Sequence, residues 1–113
     1  MTCRPRREGG LFDGSEEERL RILWRAHELG AEFIDVEWDA RIDDLIAARK
    51  GRGIVVSRHD FSGRVADPRA ALAELRARGG EVTKLAVVAR SAGDLVPLLD
   101  AARHDESSVV IGM

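Results

Sequence analysis

The chain has 113 residues, 44% of them hydrophobic and 34% charged, which is enough for one domain with a core and a solvated surface. Eighteen basic and twenty acidic side chains leave a formal charge of −2, with no basic block to follow a phosphate backbone, so nucleic acid is not expected as a partner. No apolar stretch approaches the roughly eighteen residues of a membrane span, and the charged N-terminus lacks a signal-peptide core, so a cytoplasmic protein without a membrane partner is expected.

Met1-Thr2-Cys3-Arg4 reads as a strand end without the rest of its strand. Cys3 is the sole cysteine, which rules out an internal disulfide or a cysteine-based zinc site and suits a small residue in a strand. A loop, Arg4-Pro5-Arg6-Arg7-Glu8-Gly9-Gly10, follows. Ser15-Glu16-Glu17-Glu18 has the S-x-x-E spacing of a capping box and opens a helix whose stripe is Leu20, Leu23, Trp24, His27 and Leu29. Gly30 closes it. Phe33 to Trp38 is a short buried strand interrupted by two acids.

The unit then repeats. Ile42, Leu45 and Ile46 mark a second helix ending near Lys50-Gly51, and Gly53 to Ser57 a second strand. Asp67-Pro68 supplies an N-cap and a proline at the first helical position, Ala71, Leu72 and Leu75 the apolar stripe, and Gly79-Gly80 the stop. Val82 to Val88 is a further strand, Ala92 to Arg103 a helix with Pro97 in its first turn, and Ser108 to Gly112 a last strand.

Strand–helix units with nearly continuous apolar strands predict a parallel sheet joined by right-handed crossovers. An open doubly wound sheet and an arc of a (β/α)8 barrel both fit. A whole barrel needs about 250 residues, so the barrel reading implies a partial one, with both chain ends looking cut. In that case the inward faces of Val36, Val56, Val88 or their neighbours should meet water, and two sheet edges should lack partners.

Several residues could carry chemistry. Lys84 lies within an apolar strand and shares parity with Val82, Ala86 and Val88. Burial disfavours an ammonium and favours the nucleophilic amine, the setting for a Schiff-base lysine, although a strand-edge lysine can also snorkel to water. His59, in Ser57-Arg58-His59-Asp60-Phe61, follows a strand's carboxyl end, where barrel enzymes place acid–base groups; a merely polar histidine would look the same. Asp60 suits a cap for the next turn. In the first loop, Arg4 could bind an oxygen-rich ligand and Glu8 could partner a histidine, but a solvated charged loop has the same composition. Asp35 and Glu37 share parity and either line a polar site or meet a partner such as arginine. His27 and His104, on helices, read as surface or packing residues.

Taken in order and spacing, Thr2-Cys3-Arg4 with Glu8-Gly9-Gly10, Phe33 to Glu37, Ser57 to Phe61 and Thr83 to Val87 resemble the type I 3-dehydroquinate dehydratase family over essentially the whole chain. The resemblance implies a (β/α)8 barrel, of which this chain is roughly strands three to seven. It implies dehydration of 3-dehydroquinate to 3-dehydroshikimate, in the shikimate pathway of aromatic amino acid biosynthesis, without metal or organic cofactor. By the same resemblance Lys84 is the imine-forming lysine, His59 the acid–base histidine and Glu8 the carboxylate that assists it. Arg4 binds substrate, Asp35 and Glu37 are acids close to the site, and Met113 lies near the bound ring. Arg58 has no implied role. The complete protein could be a homodimer. The family's other substrate-binding acid and arginines have no counterpart in these 113 residues. Rival readings are an inactive truncated barrel, a segment of a longer multifunctional protein, or a flavodoxin-like domain using Asp35 and Glu37.

Overall fold

The Ser15 side chain accepts from the Glu18 amide at 3.2 Å, and the Glu18 carboxylate accepts from the Ser15 amide at 2.8 Å, so the capping box forms as the spacing predicts. From it runs α1 (Glu16–Glu28). The computed structural model describes residues 1–63 and 65–113, and continues with β1 (Ile34–Glu37), α2 (Asp43–Arg49), β2 (Ile54–Asp60), α3 (Pro68–Ala77), β3 (Val82–Val87), α4 (Ala92–Ala102) and β4 (Ser108–Gly112). A short 3₁₀ turn, Arg6–Glu8, precedes α1.

The four strands are all parallel and lie in the order β1-β2-β3-β4. A doubly wound sheet reverses its strand order at a switch point, and this sheet does not. With right-handed crossovers throughout, every connecting helix therefore lands on one face, as in a barrel arc. Thr2 makes a parallel bridge to Asp35, so the N-terminal residues add the predicted strand end beside β1.

Alternation along the strands separates two faces. Beneath the helices, Ile34, Val36, Ile54, Val56, Leu85 and Val87 pack with Leu23, Ile42, Leu45, Leu72, Leu75 and Leu98 in one buried cluster. Val36 and Val56 are fully buried here, which corrects the expectation that they meet water. That exposure falls on their neighbours of opposite parity: Val109 and Ile111 are 43% and 38% exposed. The strand pattern had the right parity but gave no way to tell which face the helices would cover.

Two boundaries also differ from the sequence reading. The second strand extends through His59 and Asp60, because their backbones continue the parallel ladder to Ala86 and Val87. Pro97 lies inside α4, beyond its first turn. Both Pro97 and Gly93, the residue whose carbonyl loses its i+4 donor, are exposed, so solvent can serve that carbonyl and the helix tolerates the proline.

Candidate active site

On the face opposite the helices, the register sets Ser57 beside Lys84 and His59 beside Ala86. Lys84 and His59 therefore project from adjacent strands on one side of the sheet, toward the carboxyl end. Asp35, one strand further, joins them across the sheet. Its Oδ2 accepts from Lys84 Nζ at 3.0 Å and from Arg4 Nη2 at 3.1 Å, while its Oδ1 accepts from the Ser57 hydroxyl at 2.6 Å.

The carboxylate of Asp35 is thus the hub of the site. Burial alone would push its pKa up, but the Ser57 hydroxyl, Lys84 and Arg4 together hold it below the usual aspartate range. Lys84 is 19% exposed, reachable from the open face yet paired, so the snorkelling alternative does not describe it.

His59 is fixed from the first loop. Glu8 Oε2 accepts from the His59 backbone N–H at 2.7 Å and lies 3.0 Å from its Nδ1. Burial lowers the imidazole pKa, the hydrogen bond to Glu8 works against that, and the positive charges of Arg4 and Lys84 lower it further; the net shift is downward. A neutral ring with Nδ1–H directed at a carboxylate leaves Nε2 as an acceptor, the form required of a general base.

The loop can hold Glu8 there because of its two glycines. Gly9 takes a left-handed conformation with φ 78°, and the Phe61 ring lies where its Cβ would be. A Cβ on Gly10 would stand 1.9 Å from the Arg4 carbonyl oxygen, so the turn folds back on Arg4 only with glycine at that position. Outside the turn, Arg7 forms two hydrogen bonds to Asp39, at 3.2 and 3.0 Å, and ties the loop to the end of β1.

Glu37 goes elsewhere. It shares Asp35's parity but has no accessible surface, and Arg19 of α1 donates to it. Of the two alternatives open from the sequence, Asp35 lines the site and Glu37 meets an arginine. Met113 continues the β4 ladder, with its amide donating to the Val87 carbonyl at 2.9 Å, and is 42% exposed. Asp60 caps the following turn by accepting from the Ser62 amide and hydroxyl at 2.8 and 2.5 Å. His27 stacks edge-on against Trp24, and His104 lies exposed beside Asp100. Arg58 reaches away over the Trp38 ring.

Two residues of the network had no predicted role, Ser57 and Arg19. The spacing offered a signal for each: Ser57 has the parity of His59 on its strand, and Arg19 falls on a helical stripe with Leu23 and Ala26. A cavity of about 490 Å³ lies between α4 and the segment after β2 and is lined by none of the candidate side chains. Among the described residues, no group of three or more His, Cys, Asp or Glu side chains could hold a metal, and no helix is long and apolar enough to cross a membrane.

The family model of type I 3-dehydroquinase matches residues 1–113. A 3-dehydroquinate dehydratase of Syntrophobacter fumaroxidans is 40% identical over 102 residues, covering 88% of this chain and 44% of that protein. The chloroplastic bifunctional 3-dehydroquinate dehydratase/shikimate dehydrogenase of Arabidopsis thaliana is 33% identical over 101 residues, covering 84% of this chain and 17% of that protein. The solved 3-dehydroquinate dehydratase of Enterococcus faecalis superposes with a TM-score of 0.83 at 28% identity, covering 97% of this chain and 52% of that one. The chain spans about half the length of most of the relatives it matches, and its four parallel strands correspond to an arc of their barrel.

Proposed function

The chain belongs to the type I 3-dehydroquinase family, and from that membership we propose that it carries the imine-forming lysine and the acid–base histidine of a 3-dehydroquinate dehydratase. The observation that supports this most directly is the placement of Lys84 and His59 on one face of adjacent strands, each held by its own carboxylate, Asp35 and Glu8.

In this reading the Lys84 amine adds to the ring ketone of 3-dehydroquinate and water leaves, giving an iminium that withdraws electrons from the neighbouring carbon. His59 Nε2 takes a proton from that carbon, and the electron pair moves into the enamine. The imidazolium then returns its proton to the departing hydroxyl, which leaves as water and restores the iminium. Hydrolysis by one water releases 3-dehydroshikimate and the free amine, so the net change is loss of one water. Glu8 holds His59 in the required tautomer. Arg4 and Asp35 orient the substrate's polar groups around Lys84, Met113 borders the ring, and Glu37 acts behind Arg4. The reaction needs no cofactor, and the protein works in the cytoplasm within the shikimate pathway.

Incubation of the chain with 3-dehydroquinate and borohydride should add the reduced ligand's mass to the peptide containing Lys84. Labelling at Lys50, which ends α2, or no labelling at all would overturn the proposal.

A second reading is favoured by the exposed apolar row of Val109 and Ile111 on the site's own face. In it this arc forms the imine but turns over only as a segment of a longer or multifunctional protein. Imine trapping without release of 3-dehydroshikimate would distinguish it.

A further inference from the structure

Arg19 is the largest side chain in the structure with no accessible surface. An unpaired guanidinium at that depth would be prohibitive, and a leucine would fill the same stripe beside Leu23 and Ala26 at less cost. What the arginine does is make connections. Its Nε and Nη2 donate to Glu16 at 2.8 and 2.7 Å, and its Nη1 donates both to the Cys3 carbonyl at 3.3 Å and to Glu37 Oε2.

Both Nη1 partners lead to Arg4. Cys3 is its chain neighbour, and Glu37 Oε1, the oxygen turned away from Arg19, faces Arg4 Nε at 3.8 Å. Those last two atoms are buried and make no hydrogen bond. Glu37 thus stands between two arginines, one oxygen committed to Arg19 and the other held as a counter-charge for Arg4. Arg4 in turn keeps its Nη2 on Asp35 and the active face.

We infer that Arg19 is a positioning residue for Arg4, acting through Glu37 and the Cys3 carbonyl; this rests on the proposed role of Arg4 in binding substrate. Burial pushes the Glu37 carboxyl up, with Arg19 opposing it. Without Arg19, Glu37 would be driven toward its neutral acid, the Cys3 tether would be lost, and the Arg4 guanidinium would loosen toward solvent.

The test reads Arg4 through His59, whose titration is set by burial, Glu8, Arg4 and Lys84. NMR titration of the three histidines should be compared in the unaltered chain, Arg19→Lys, Arg19→Met, Glu37→Gln and Arg4→Gln, with Arg25→Met as the control on the same helix. Removing the grip on Arg4 should raise the His59 midpoint in each Arg19 variant and in Glu37→Gln, with His27 and His104 unmoved. In the Arg4→Gln background the same changes should add nothing, because the effect passes through Arg4. An unmoved His59 in a folded Arg19 variant would overturn the inference, as would an equal shift in both backgrounds. Should both Arg19 variants fail to fold, Glu37→Gln decides alone: a His59 midpoint unmoved by it leaves Arg19 with a purely structural role.

This readout needs no substrate, so it stands apart from the imine test above. Where trapping succeeds, Arg19→Lys should also raise the 3-dehydroquinate concentration for half-maximal labelling several-fold and leave the maximal extent unchanged.

Discussion

Glu8 and His59 are 51 residues apart in the chain, yet one carboxylate oxygen of Glu8 serves both the backbone N–H and the ring Nδ1 of His59. The double contact fixes the strand end and the imidazole with one group. It also spends Nδ1 on the protein and leaves Nε2 for chemistry.

Replacing His59 by alanine should therefore preserve imine formation at Lys84 while removing proton transfer. Borohydride trapping should continue in His59→Ala, and release of 3-dehydroshikimate should fall by roughly 10²–10⁴-fold. His27→Ala, on the stacked surface histidine, should lose neither. Comparable losses in the two variants would remove the acid–base role from His59.

The lowered pKa of His59 has a consequence for folding. In the unfolded chain the ring takes a proton near its ordinary value of about 6.5, whereas in the folded chain protonation is delayed to lower pH. Between those two values the unfolded state binds more protons, so stability falls as pH drops below about 6.5 toward the folded value and is fully present above it. Urea titrations from pH 7.5 to 5 should show this decline, and His59→Gln should flatten it. An undiminished slope in that variant would assign the effect to other groups.

Gly10→Ala should displace the loop that carries Glu8. The added Cβ meets the Arg4 backbone oxygen, not the end of a flexible side chain, so the turn must open. The expected cost is about 1–3 kcal/mol in stability together with a change in the His59 titration, since Glu8 moves with the turn. Gly30→Ala is a useful contrast: the strain there is in the backbone, with φ 78°, and nothing lies within 4 Å of the added methyl. It should lose stability and leave His59 unchanged.

The uncovered face predicts self-association. Val109 and Ile111 present apolar surface on β4, whose outer edge has no strand partner among the described residues, a combination that favours pairing with another copy. Sedimentation of the chain should show mass rising with concentration, and Val109→Thr with Ile111→Thr should reduce it while keeping β-branched residues in the strand. A stable monomer at all concentrations would show that the face is tolerated by solvent.

Much of this protein was legible before its structure. The capping box at Ser15, the Asp67-Pro68 helix start and the alternating strand–helix units are local signals, governed by hydrogen bonds and sterics within a few residues, and each element formed in the expected order, with β2 running on through Asp60 and Pro97 falling deeper in α4. Parity also grouped Lys84 with Val82 and Ala86, and Asp35 with Glu37. Which face of each strand the helices would cover depends on the hand and order of the crossovers, and no single strand contains that information. Hence Val36 and Val56 went into the core while Val109 and Ile111 were left open. Distant pairings were equally out of reach: Lys84 with Asp35 and Glu8 with His59 come together only through strand register and loop closure. The same holds for the separate fates of Asp35 and Glu37. Their parity is identical, but only the packing of α1 brings Arg19 against Glu37, drawing one acid into the interior and leaving the other at the lysine.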